Sequence, residues 1–360
     1  MINSKIGKDK EKTITGCLLG TAVGDAIGLS YEGLSPQRLI KLYPTLNQYH
    51  FILGKGMVSD DTEHTCLVAQ SLIMSQGEVE TFTSHFAWKL KFWLLGLPAG
   101  IGFGTLRAIL KLWLGFSPAK SGVFSAGNGA AMRSPILGVC YGHDEQKLIA
   151  IVKAATLITH TDPKATFGAI AVALAAYLSS LNQPITPQQY LAKLKDLLKA
   201  EPAAELISLI EKAVASVLAG QATTTFAQSL GLEKGISGYV YHTVPVVIHV
   251  WLKNPDDYQT AIGEILSCGG DTDTTAAIVG GIIGARVGEQ GIPKLWLDNL
   301  WEFPRNIKWM KKLGQRLNQT LIQKRKQSSL PVSIISVLLR NAIFMLIVLG
   351  HGFRRLLPPY

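Results

Sequence analysis

Two stretches of the chain carry a small residue at every fourth position. Gly16, Gly20, Gly24 and Gly28 form the first, and Ala276, Gly280, Gly284 and Gly288 the second, with Ala277, Gly281 and Ala285 alongside. On an α-helix, residues four apart lie on one face. Each interior glycine costs roughly 0.8–1 kcal/mol against alanine, so several on one face require close helix approach to offset them. Both helices are therefore expected to be central and tightly packed. A membrane-embedded pair uses the same stripe, but Asp25, Arg286, Glu289 and the short apolar spans argue against that.

Apolar residues recur at three- and four-residue spacing over most of the chain. They predict helices at Ile14–Leu29, Thr62–Met74, Val79–Leu94, Leu148–Ile158, Lys164–Leu181, Pro187–Leu198, Pro202–Leu218, Tyr239–Leu252, Tyr258–Leu266 and Thr274–Val287. No alternating run bounded by turn residues competes with them. The expected fold class is all-α. With 360 residues, 48% hydrophobic and only 17% charged, the chain can bury a large core. The charged segment 1–12 is expected to be a disordered N-terminal tail without a secretory signal. Residues 13–304 are expected to form the main domain and 305–360 a separate tail. Cys17, Cys66, Cys140 and Cys268 lie far apart in apolar contexts, as reduced core thiols of a cytoplasmic protein would.

Two acidic motifs run straight into apolar helical patterns: Ser59-Asp60-Asp61-Thr62 and Gly269-Gly270-Asp271-Thr272-Asp273-Thr274. Crowded carboxylates repel and lose solvation when buried. A helix N-terminus compensates them in part, and a divalent cation does so far more. Oxygen ligands without Cys or His favour Mg²⁺, Mn²⁺ or Ca²⁺ over zinc. If the motifs meet, their carboxylates and hydroxyls suffice for a two-metal site. A plainer reading of the first motif stays open, an N-cap serine with acids in the first turn. As a calcium loop the second fails, with Ala276 at the sixth position and Ile282 at the twelfth. As a phosphatase nucleophile motif it lacks a preceding strand. Two glycine-rich loops, at 97–105 and 125–133, allow close backbone approach to a phosphate.

Five landmarks stand in order: Gly24-Asp25-Ala26-Ile27-Gly28 with Tyr31-Glu32, Ser59-Asp60-Asp61-Thr62, Gly127-Asn128-Gly129-Ala130-Ala131-Met132-Arg133, Thr159-His160-Thr161-Asp162-Pro163, and Gly269–Thr274. This set resembles the ADP-ribosylglycohydrolase family, which includes dinitrogenase-reductase-activating glycohydrolase and the crystallin J1 proteins, over about residues 13–304. The resemblance implies a compact orthogonal bundle of many helices. It implies a hydrolase cleaving the glycosidic bond at C1″ of ADP-ribose, in ADP-ribosylated protein or small ADP-ribose conjugates. Two divalent ions, Mg²⁺ or Mn²⁺, are implied as cofactors. Ser59, Asp60, Asp61 and Asp273 match ligands of one metal; Asp271, Asp273 and Thr274 match those of the other. The family usually has Thr where Ser59 stands. Asp273 bridges and helps position or deprotonate water, and Glu32 matches a catalytic glutamate. Gly127, Asn128 and Gly129 match a pyrophosphate- and ribose-binding loop, Gly102 and Gly104 a second substrate loop, and His160 a ribose contact. Asp25 is expected to support a ligand or a helix end, and Arg133 to meet pyrophosphate or close its loop against a buried acid. The alternative within the fold is a catalytically silent ADP-ribose-binding or crystallin-like structural protein. A monomer is expected.

Eleven Lys and Arg and no Asp or Glu lie between Arg305 and Tyr360, so subtracting them from the net +10 leaves about −1 for residues 1–304. The body lacks the basic face of a nucleic-acid binder, and no nucleic acid is expected as partner. Residues 331–350 are apolar except for Ser333, Ser336, Arg340 and Asn341, just enough to span a bilayer. Three readings stay open: a span, a helix pair docked on the domain, or surface attachment to a membrane. Because the motifs end at Thr274, removal of everything past Pro304 is expected to leave hydrolysis intact.

Overall fold

The computed structural model describes residues 2–181 and 183–354. Among them are eighteen α-helices and no β-strand, only isolated bridges between loops. Along the chain come α1 (Ile2–Gly28), α2 (Pro36–Leu42), α3 (Asp60–Ser75), α4 (Val79–Leu95), α5 (Phe103–Trp113) and α6 (Pro118–Ser121). Next are α7 (Pro135–Tyr141), α8 (Glu145–Leu157), α9 (Pro163–Ser179), α10 (Pro187–Leu197), α11 (Ala204–Leu218) and α12 (Thr223–Ser229). The last six are α13 (Val240–Lys253), α14 (Tyr258–Ser267), α15 (Thr272–Val287), α16 (Lys294–Asp298), α17 (Ile307–Gln323) and α18 (Ile334–Arg354). The all-α expectation holds.

At the centre, α1 and α15 pack backbone to backbone. A Cβ placed on Gly16, Gly20 or Gly24 would sit 2.1 Å from the carbonyl oxygen of Gly284, Gly280 or Ala276 respectively, and one on Gly28 would sit 2.2 Å from that of Thr272. The pairing of 16 with 284 and 28 with 272 makes the helices antiparallel. The stripe therefore does more than pack: it lays the start of α15, with its acidic motif, against the end of α1. Thr272 Oγ1 fastens the junction by donating to the Gly28 carbonyl at 2.8 Å. Helices α9 and α15 are buried on every face through most of their length, as core helices must be. All four cysteines are buried and unpaired.

The two ends of the chain differ from expectation. Helix α1 begins at Ile2 rather than near Ile14. The charged start is held because the Lys10 ammonium donates to the Val139 carbonyl and the Lys12 stem packs over Gly288. Residues 305–354 are built into the body, and the last six residues of the expected 305–360 tail lie outside the described residues. Helix α17 buries Met310, Leu313 and Leu317 and lays Gly314 against Thr15 of α1. Arg305 Nη1 pairs with Glu63 of α3 at 2.5 Å. Helix α18 docks through Arg340, Asn341, Phe344 and Ile347, and the last two join a small apolar cluster with Leu29, Phe51, Met57 and Ala99. It is also long and apolar enough to cross a membrane, yet it lies on the domain.

Candidate metal centre and substrate cleft

Asp25, in the last turn of α1, reaches the first acidic motif. Its carboxylate accepts from the backbone N–H of Ser59 at 2.9 Å and of Thr62 at 3.1 Å, and from the Thr62 hydroxyl at 2.5 Å. It thereby caps α3 from a neighbouring helix. Burial pushes its pKa up to about 7, against the pull of those hydrogen bonds. With α15 on its other side, α1 brings both motifs together.

One carboxylate oxygen each from Asp25, Asp61 and Asp273 lies within 4.8 Å of the others. Asp61 Oδ2 accepts from the Ser59 hydroxyl at 3.0 Å and the Thr274 hydroxyl at 3.2 Å. Asp61 Oδ1 is buried with no hydrogen-bond partner. Burial, then repulsion from neighbouring carboxylates, holds Asp60, Asp61 and Asp273 well above the ordinary carboxylate range. For Asp273 the strongest of those neighbours is Glu32, which stands exposed at the rim. An orphaned acceptor among crowded acids, with oxygen donors only, fits a hard divalent cation. Asp25, Asp61 and Asp273 are the acids whose carboxylate oxygens stand close enough to hold one together.

These groups form the floor of a cleft of about 580 Å³. Asp60, Asp271, Asp273, Thr274 and Glu32 line it together with Gly102, Gly104, Gly127, Asn128, Gly129 and His160. Ser59 and Asp61 lie beneath that lining, bonded to it through Thr274. Asn128 Nδ2 donates to Asp271 at 2.7 Å and to the Thr243 hydroxyl at 3.0 Å, tying the glycine loop to the second motif.

Backbone pairs stitch the rim. The Gly33 N–H meets the Gly270 carbonyl and the Gly270 N–H the Leu34 carbonyl, both at 2.8 Å; Asp271 pairs with Ile236 at 2.8 Å and Asn128 with Gly238 at 2.9 Å. Gly270 has φ +83°, and a Cβ there would sit 2.0 Å from the Ile236 oxygen, so this seam requires glycine.

His160 accounts for three more of the cleft glycines. A Cβ on Gly127, Gly129 or Gly104 would stand 3.2, 3.0 or 3.4 Å from its ring, so these residues leave room for an imidazole as well as for a ligand. Its Nδ1 lies 2.8 Å from Thr159 Oγ1, which accepts from Arg133 Nη2 at 2.6 Å. Burial, and secondarily Arg133, lowers the His160 pKa to about 3, so the ring is neutral. Arg133 itself is fully buried over the Phe86 ring and outside the cleft lining. It makes no ion pair among the described residues, the Asp60 carboxylate acting on it only at longer range, and it holds the Thr159 hydroxyl that meets the His160 ring.

The floor is braced from outside. Arg340 donates from Nε and Nη2 to the two oxygens of Glu302 at 3.0 and 2.7 Å, and from Nη2 to the Val58 carbonyl at 2.5 Å. Glu302 in turn accepts from the Val58 N–H at 3.3 Å. One buried ion pair thus grips both backbone groups of the residue preceding Ser59. Sequence reading missed this, along with residues 236–238, which line one wall. The signal for that wall was faint: two glycines, Gly235 and Gly238, ahead of α13.

Comparison with known proteins decides the family. The ADP-ribosylglycohydrolase family model matches residues 7–327. The chain belongs to the ADP-ribosylglycohydrolase family. ADP-ribosylhydrolase ARH3 of Xenopus tropicalis is 26% identical over 338 residues, covering 83% of this chain and 94% of that protein. The ADP-ribosyl-[dinitrogen reductase] glycohydrolase of Rhodospirillum rubrum is 26% identical over 291 residues, covering 79% and 89%. A solved ADP-ribosylglycohydrolase-related protein complex shares the fold at a TM-score of 0.66 and 22% identity, covering 87% of this chain and 99% of its own. The family match extends past residue 304 to 327, as the packing of α17 on α1 and α3 requires.

Proposed function

We propose that this protein is a metal-dependent hydrolase that cleaves the glycosidic bond at C1″ of ADP-ribose in ADP-ribosylated protein or small ADP-ribose conjugates. The observation that carries the reading is the meeting of the two acidic motifs on the cleft floor, where a buried Asp61 oxygen lacks a partner. Ser59, Asp60, Asp61 and Asp273 would hold one Mg²⁺ or Mn²⁺ ion, and Asp271, Asp273 and Thr274 a second. Such ions supply Lewis acidity toward ribose hydroxyls and an acidified water.

The chain's own groups do the rest. Neutral His160, fixed by Thr159, offers one ring nitrogen to a ribose hydroxyl as donor or acceptor. Gly127 and Gly129 let the diphosphate approach the backbone. Asn128 keeps the Asp271 carboxylate oriented. Asp273 would position a water, and Glu32, exposed at the rim of the cleft, would receive its proton. The names of the relatives, an ADP-ribosylhydrolase and an ADP-ribosyl-protein glycohydrolase, support the same substrate class. Calorimetric titration tests the binding half. After chelator treatment, added Mn²⁺ should bind, and Asp61→Asn should abolish that heat. ADP-ribose should then bind more tightly than ADP, because only ADP-ribose carries the distal ribose. Equal affinity for the two ligands would contradict the reading. Binding without turnover of any conjugate would leave a silent ADP-ribose-binding protein instead.

A further inference from the structure

Helix α18 is inverted for a helix that lies against water. Its polar side chains point into the protein. Arg340, 2% exposed, holds Glu302, and Asn341 donates to the Gly96 carbonyl at 2.6 Å. Its outer face is apolar from end to end. Ile335 (75% exposed), Leu338, Leu339, Met345, Leu346 (71%) and Phe353 stand out along it, and no charged side chain interrupts them before Arg354. Surface helices place polar residues outward, and a continuous apolar patch of this length marks contact with another apolar phase.

A second feature adjoins it. On α4 and α5, Phe92 packs between Trp88 and Trp113 with ring centroids 4.7 and 6.1 Å apart, all three exposed. The Lys91 ammonium sits 5.5 Å from the Trp88 ring and 4.4 Å from the Trp113 ring. Trp88 and Phe92 share a groove with Ile334 and Val337 of α18. Tryptophan with lysine is the composition of a lipid–water boundary. Charge agrees: Lys324, Arg325 and Lys326 precede α18, Arg354 ends it, and no acid occurs after Glu302.

We propose that the outer face of α18, with the Trp88–Phe92–Trp113 edge, docks on an anionic bilayer surface, the helix lying in the membrane plane. At 21 residues it could span, but Arg340 keeps it flat. Lifting the helix away would leave Glu302 buried without its cation and carry Arg340 toward the hydrocarbon centre.

Cosedimentation of the full chain with phosphatidylcholine–phosphatidylserine vesicles, and with phosphatidylcholine alone, tests this, run beside sedimentation velocity without lipid. The chain should pellet with the anionic vesicles, less so at high salt, and an alkaline wash should release it. The double variant Leu339→Glu/Leu346→Glu, altered only on the exposed face, should keep its melting temperature and bind at least about tenfold more weakly. Failure to bind vesicles overturns the proposal; if that failure comes with a dimer that the double variant dissolves, the face belongs to a second copy of this chain. Resistance to the alkaline wash also overturns it, in favour of a span.

Discussion

His160 carries a prediction with a definite sign. Its folded pKa lies near 3 and its unfolded value near 6.5, so the unfolded chain binds the proton first as pH falls. The stability that a neutral buried imidazole contributes is therefore full above about pH 6.5 and is lost progressively toward the folded value near 3. Denaturant midpoints measured between pH 7 and pH 4 should fall more steeply for the wild type than for His160→Gln. Parallel curves would contradict the burial argument. The sequence indicated that His160 belongs to the site, through its Thr-His-x-x-Pro context. It could not indicate Arg133 beneath it, because a glycine-loop arginine reads as a phosphate partner until its burial is seen. Asp25 stood out as the one acid in the small-residue stretch 14–29, although which N–H groups it caps depends on the approach of α3.

At the scale of the element, the glycine stripe was fully legible: a recurring propensity cost in two helices has few remedies besides mutual close packing. Gly24→Ala gains up to about 1 kcal/mol of helix propensity, but its Cβ would stand 2.1 Å from a backbone oxygen that no side-chain motion relieves. Overpacking should win, with a net loss of about 2 kcal/mol or more in urea unfolding. Gly263→Ala in α14, where nothing lies within 4 Å of the added carbon, should instead be neutral or stabilising. The Arg340–Glu302 brace was illegible, since the two residues are linked only through the folded body. Arg340→Met should cost about 3–5 kcal/mol by stranding Glu302, and Arg340→Met/Glu302→Leu should recover most of it. A double-mutant cycle on unfolding midpoints checks the coupling.

For the molecule as a whole, helical class, family and the convergence of the motifs could be read from periodicity and landmark order. The integration of both termini could not, because their partners, Val139, Gly288, Glu63 and Glu302, carry no mark in the sequence. Truncation after Pro304 should therefore not be silent. It removes Arg305 and Arg340 and leaves Glu63 and Glu302 buried without cations, so the shortened chain should lose its cooperative melting transition. The central claim is that two acidic motifs, joined by α1, make a metal-dependent ADP-ribosyl hydrolase. Its most direct test is release of ADP-ribose from ADP-ribosylated protein and from O-acetyl-ADP-ribose, followed with Mg²⁺ or Mn²⁺, in chelator, and after the metal is restored. Release should stop in chelator, return with the metal, and be absent in Asp60→Ala and Asp273→Ala variants that still melt cooperatively. Release undiminished in chelator, or retained by either variant, would contradict the account.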